Sequence, residues 1–128
     1  MRKTILLIDP DPDVYTIHQL YLKKYKINLQ YSKSLRHALW LVQENPPDLI
    51  LSEIYFDGSI EYEHLFLLRD VNDIPIIVQS SQLPEDYSEN CIIRGAQAYF
   101  SKPIDWSKYL EAIGKCLQTD QHLQQNPS

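Results

Sequence analysis

A few residues of this chain carry side chains that could share one piece of chemistry. Asp9 and Asp11 stand in the run DPDPD, and Glu53 closes the apolar run LILS. Ser80 and Ser81 follow PIIVQ, and Lys102-Pro103 follows AYFS. Carboxylates are hard oxygen ligands, a hydroxyl is a small donor, and a lysine ammonium is a compact positive charge for anionic oxygens. Glu53 is the most pointed of these, because a carboxylate at the end of a buried strand costs free energy unless it is paired or employed. Asp9, Asp11 and Asp13 also imitate the opening of a calcium loop. Such a loop needs glycine at its sixth position and an acid at its twelfth, and Val14 and Leu20 stand there instead. The calcium reading fails.

The elements that must position these residues can be read from the apolar pattern. Ile5-Leu6-Leu7-Ile8 is an uninterrupted run stopped by turn-forming residues, which marks a strand buried on both faces. A helix is predicted next, with Asp11 as its N-cap, Pro12 at its first position and Val14, Ile17, Leu20, Tyr21 and Leu22 as its stripe. A second strand is expected over 27–31. A helix over 34–45 follows, capped by Ser34 and carrying Leu35, Ala38, Leu39 and Val42, and Pro46-Pro47 ends it. The third strand is predicted at 48–52, a helix at 60–69, and a fourth strand at 74–78. A helix at 84–94 ends before Gly95, the fifth strand spans 98–101, and the last helix spans 106–118. Five strands alternating with five helices imply a parallel sheet covered on both faces, a three-layer α/β/α fold. Function in such sheets sits at the carboxyl ends of the strands, where Asp9, Glu53, Ser80 and Lys102 fall.

Composition narrows the classes. The 128 residues suit one domain, expected over 1–118, with 119–128 a polar tail or linker remnant. Twelve basic residues against seventeen acidic ones give a net charge of −5, which argues against direct nucleic-acid binding. No apolar run approaches the ~20 residues of a membrane span. Cys91 and Cys116 lack a CxxC pattern and read as packed thiols in a reducing cytoplasm. His18, His37, His64 and His122 lack metal-like spacing and are assigned to surface or packing.

The stretches LLIDPD, PDLILSE, DIPIIVQSS and GAQAYFSKP, in this order and at this spacing, resemble a two-component response-regulator receiver domain over essentially the whole chain. The resemblance implies a flavodoxin-like (βα)5 doubly wound sheet. It also implies phosphoryl transfer to an aspartate at the end of the third strand, assisted by Mg²⁺ on that aspartate and on acids after the first strand. A hydroxyl after the fourth strand and a lysine after the fifth then hold the phosphoryl group. An aromatic just before the lysine moves with that hydroxyl. Residue by residue, Asp9 matches the first acid, Ser80 the hydroxyl, Tyr99 the switch aromatic, and Lys102-Pro103 a Lys-Pro pair whose bond is expected to be cis.

Two positions depart from the pattern. Glu53 stands at the phosphoacceptor position, and Pro10 occupies the place of the second, metal-binding acid. The extra bond in glutamate displaces its carboxylate by roughly 1.5 Å, and a misplacement of about 1 Å can cost on the order of 10²-fold in rate. Asp11 is the substitute acid, hemmed between Pro10 and Pro12. Phe56 stands where many relatives have proline, while Asp57-Gly58 keeps turn chemistry.

The expectation is therefore a pseudo-receiver, neither an enzyme nor a cofactor protein, with any Mg²⁺ weakly held by Asp9 and Glu53. Glu53 is expected to pair with Lys102 and Ser80 and lock one conformation. Partners are expected to be proteins: a histidine kinase, an output protein or a second copy. They would dock on the face of the fourth helix, fifth strand and fifth helix, where Tyr87, Trp106 and Tyr109 are interface candidates. The rival readings are a phosphorelay regulator still phosphorylated or metal-binding at the Asp9/Glu53 pocket, and a flavodoxin-type cofactor binder. The latter needs a phosphate loop after the first strand, where DPDPD would repel phosphate.

Overall fold

The computed structural model describes residues 2–117. The expected polar tail at 119–128 lies outside the described residues, as does Gln118. The elements in order are β1 (Lys3–Ile8), α1 (Pro12–Leu22), β2 (Ile27–Ser32), α2 (Leu35–Glu44), β3 (Leu49–Ser52), β4 (Tyr55–Phe56), β5 (Ser59–Ile60), α3 (Tyr62–Asn72), β6 (Ile76–Ser80), α4 (Pro84–Ile93), β7 (Ala98–Ser101) and α5 (Trp106–Leu117). Five strands form one parallel sheet in the order β2-β1-β3-β6-β7. The expected flavodoxin-like α/β/α architecture is the one observed.

The continuous apolar runs split by parity between two cores. Leu6, Ile8, Ile50, Ile76 and Val78 pack with α2, α3 and α4 residues such as Ala38, Val42, Leu65 and Cys91. Ile5, Leu7, Leu49, Leu51 and Ile77 pack on the other face with Leu22, Tyr109, Ile113 and Leu117. Both faces of each central strand are dry, which is why these runs lack the alternation of a half-exposed strand.

The caps act as the sequence indicates. The Asp11 side chain accepts from Asp13 N at 2.9 Å, with Pro12 just inside the helix. Ser34 accepts from His37 N at 3.1 Å. Gly95 takes φ 110 after α4.

Three expectations are corrected. The fourth sheet strand runs over Ile76–Ser80 rather than 74–78, because Pro75 offers its carbonyl to Ile50 N at 2.9 Å and the ladder continues from Ile76. The helix expected over 60–69 runs instead over Tyr62–Asn72, because Ile60 pairs with Tyr55 in a two-stranded hairpin, β4 with β5, in the loop after β3. The hairpin's turn residues Asp57 (φ 49) and Gly58 (φ 85) both have positive φ, the geometry that joins strands through two residues. In α1, Ile17, Leu20 and Tyr21 are exposed, and the buried positions are His18 and Leu22. A histidine fits there because both ring nitrogens are partnered. Its Nδ1 lies 2.8 Å from Val14 O and must carry the proton, so Nε2 accepts from the Tyr109 hydroxyl at 2.7 Å.

Candidate functional site

The sheet ladder runs past the strand ends and sets the site. Asp9 N donates to Ser32 O at 3.1 Å, Glu53 N to Ile8 O at 3.0 Å, and Lys102 N to Ser80 O at 2.9 Å. Ile8 pairs with Ser52, so Asp9 and Glu53 are the next neighbours across β1 and β3. By parity, Asp9, Glu53, Gln79 and Lys102 continue the alternation of Leu7, Leu51, Ile77 and Phe100, all on the α1/α5 side. Ser80 and Tyr99 carry the opposite parity, with Val78 on the α4 side.

That division decides who meets whom. Lys102 Nζ donates to Asp9 Oδ2 at 2.7 Å and to Glu53 Oε1 at 3.2 Å. Both carboxylates are buried, at 1% and 4% exposure. Gln79 Nε2 adds a bond to Asp9 Oδ2 at 3.1 Å, and Asp11 N donates to Asp9 Oδ1 at 2.9 Å. The second Glu53 oxygen accepts from Ile54 N at 2.7 Å and Tyr55 N at 3.2 Å. Every carboxylate oxygen in the pair thus has a donor, which is what allows charges to be buried here.

Ser80 is not part of this cluster. Its hydroxyl is buried and accepts from Gln82 N at 3.1 Å, and the Tyr99 hydroxyl donates to Gln82 O at 2.9 Å. Burial pushes the Tyr99 phenol up to about 12, so it remains a donor. Sequence reasoning paired Glu53 with both Lys102 and Ser80; only Lys102 bonds to it.

Asp11 is likewise absent from the acidic pocket. It is exposed and its carboxylate is engaged as the α1 cap. The Lys102-Pro103 bond is cis, and Pro103 is exposed. Tyr109 is fully buried beneath α5 against His18, Phe100 and Trp106, so it presents no surface to a partner. Trp106 is half-buried and stacked on Tyr21 at 4.0 Å, and Tyr87 is half-buried on α4. Sequence reasoning missed Gln79, whose signal was a polar residue at the end of a buried apolar run; His18, assigned to surface or packing, is a packing residue whose partner lies 91 residues away.

The donor set does not suit Mg²⁺. The ion requires several oxygens in near-octahedral array, yet the Asp9 and Glu53 oxygens are taken by an ammonium, an amide side chain and backbone amides. Pro10 supplies no ligand, and no group of three metal-ligating side chains occurs among the described residues.

The structure is thus a doubly wound sheet with paired acids and a lysine at its carboxyl edge. Residues 5–114 match the family described as the response regulator receiver domain, and the chain belongs to that family. It is similar to the transcriptional regulatory protein ZraR of Escherichia coli (strain K12), 27% identical over 116 residues, which are 88% of this chain and 26% of that protein. It is also similar to the heme response regulator HssR of Staphylococcus aureus (strain JH9), at 24% identity, covering 88% of this chain and 50% of that one. The chain thus spans a quarter to a half of the length of these relatives. Among solved structures, the signal receiver domain of an HD domain-containing protein from Pseudomonas fluorescens Pf-5 shares the fold with a TM-score of 0.83 at 22% identity, covering 92% of this chain and 96% of that one. A two-component response regulator from Clostridium difficile does so with 0.83 at 21%, covering 91% and 97%. No helix among the described residues is long and apolar enough to cross a membrane.

Proposed function

We propose that this receiver domain is a pseudo-receiver, a signalling module that works by protein–protein contact with its phosphorylation pocket filled by its own Glu53. One observation carries the reading: the Glu53 carboxylate takes Lys102 Nζ and the amides of Ile54 and Tyr55. A phosphoryl group built on this position needs the same cation and neighbouring donors, so the side chain competes with it. A single −1 charge is a poor copy of a phosphate's ~−2 and three oxygens. The domain is therefore locked rather than mimicking phosphorylation faithfully. The partner is a protein, whether histidine kinase, output protein or second copy, and the α4–β7–α5 face is its docking surface. The exposed apolar side chains within α4 are Ile92 and Ile93, while Tyr87 and Trp106 are partly committed to packing.

The test titrates Mg²⁺ with beryllofluoride, and separately with acetyl phosphate, while backbone amide shifts are followed. Unchanged amides at Glu53, Ile54 and Ser80 and an unchanged mass are expected. Saturable shifts there, or a phospho-adduct, overturn the proposal in favour of a phosphorelay regulator at the Asp9/Glu53 pocket. Glu53→Asp combined with Pro10→Asp restores the missing ligand and is expected to gain a Mg²⁺ response. For the docking face, light scattering of Ile93→Glu against the parent chain reads whether a second copy is the partner.

A further inference from the structure

We propose that α1 pairs antiparallel with α1 of a second copy of this chain, through an apolar stripe that the fold leaves exposed. Ile17, Leu20 and Tyr21 are all exposed on α1, Leu20 by 61%. Ile17 lies three and four residues before Leu20 and Tyr21, so the three share one face of the helix. Asp13 and Lys24 extend that face at its two ends, and both are exposed. Lys23 keeps helical geometry at φ −61 and ψ −25, so the spiral carries on to Lys24. The Tyr21 ring lies flat on Trp106 of α5 at 4.0 Å, which fixes one edge of the stripe.

The order of charges selects the occupant. Residues 13, 17, 20 and 24 recur at spacings of four, three and four, the spacing of a seam between two helices. Along the chain the seam reads acid, apolar, apolar, base. Turned end for end about a two-fold axis at the level between His18 and Gln19, it becomes its own complement. Asp13 then meets Lys24 of the second copy, Ile17 meets Leu20 of the second copy, and the reverse pairs form by symmetry. Such self-complementarity is what a two-fold interface between identical chains requires. Neither Asp13 nor Lys24 forms an ion pair among the described residues. The Lys24 ammonium sits over the Tyr25 ring at 5.7 Å, an exposed position from which it can turn to a carboxylate. A parallel arrangement would set Asp13 on Asp13 and Lys24 on Lys24, so the charges also fix the direction.

The stripe shares no residue with the Glu53 cluster or with α4. Pairing through it does not depend on how Glu53 is read, and it leaves the α4–β7–α5 face open to another protein.

The test is sedimentation equilibrium of the full chain and its variants. The seam is short, so a Kd on the order of 10–100 μM is expected for the parent. Leu20→Glu should abolish the dimer. Asp13→Lys and Lys24→Glu should each weaken it by about tenfold or more, since each sets like charges against one another in both pairs. An equimolar mixture of Asp13→Lys with Lys24→Glu should regain the parent's affinity, because both pairs of the mixed dimer are again opposite in sign. All three side chains are exposed, so the variants fold, and their amide spectra confirm it. Ile93→Glu should leave the dimer intact. A parent that stays monomeric to about 1 mM, single charge variants that associate as the parent does, or a mixture no tighter than its components overturns the proposal. So does a dimer lost in Ile93→Glu and kept in Leu20→Glu, which assigns self-association to α4. The beryllofluoride response at Glu53 is a separate readout, so failure of one does not imply failure of the other.

Discussion

Lys102 balances two buried carboxylates with one positive charge, and Lys102→Met removes that charge while keeping most of the stem. Its Nζ stands 2.7 Å from Asp9 Oδ2 and 3.2 Å from Glu53 Oε1. Removing one partner of a buried ion pair costs about 3–5 kcal/mol, because the other charge is left uncompensated. Here two charges are left, but the Lys102 side chain keeps 21% exposure, so water softens the loss. A cost of about 3–4 kcal/mol is expected. Glu53→Gln is the contrasting change. It leaves Asp9 and Lys102 paired at the shorter distance; the glutamine carbonyl can still accept from Ile54 and Tyr55, and its NH2 then faces the ammonium, which is part-exposed and can turn to Asp9 and water. One charge-assisted bond at the longer distance is lost, about 0–2 kcal/mol. The two variants should therefore differ by about 2 kcal/mol, roughly 6–12 °C in Tm for a chain of this size. Adding Glu53→Gln to Lys102→Met should recover part of the loss, since it removes one uncompensated charge. Urea unfolding at pH 7, with the m-values compared, measures all three. Equal costs for the two single variants, or a double variant destabilised by their sum, would refute the charge balance described here.

Two further effects follow from the buried polar and backbone geometry. Burial lowers His18 from 6.5 to about 4, so the unfolded chain binds a proton between those values that the folded one does not. Stability is then full above about pH 6.5 and falls by up to about 3 kcal/mol as pH drops to about 4. His18→Gln, compared by pH-dependent urea unfolding, should lose that component of the slope, and an unchanged slope would remove His18 from the account. Gly95→Ala should cost more than Gly58→Ala, each by about 1–3 kcal/mol for a non-glycine residue at positive φ. At Gly95 φ is 110, farther than the 85 of Gly58 from the left-handed region near +57 that other residues can enter, and the Arg69 guanidinium that an added Cβ meets there must also swing aside. Equal Tm losses would contradict this.

Much of this fold is legible in the sequence because its central strands are buried on both faces, leaving runs such as Ile5-Leu6-Leu7-Ile8 that admit few other readings. The caps at Asp11 and Ser34 and the stop at Gly95 act over two or three residues and are legible for the same reason of locality. The α1 face was misread because its stripe is weak. Ile17, Leu20 and Tyr21 match a helical period as well as His18 and Leu22 do, and only Tyr109, far along the chain, makes a histidine the better core residue. The hairpin escaped notice because its strands are two residues each, too short to show alternation. The site residues Asp9, Glu53 and Lys102 were found through strand ends. Their partition from Ser80 required knowing which face each side chain takes, and a strand buried on both faces such as β6 shows no alternation that would reveal it.

The Lys102 contacts join residues 93 and 49 positions apart in sequence. Contacts of that span close large loops and tend to form after the local ones. An interaction absent from the folding transition state leaves the folding rate alone and acts on the escape rate from the native state. On this account the ammonium clasp is a device of persistence: it sets how long the folded domain lasts once formed, rather than how quickly it is reached.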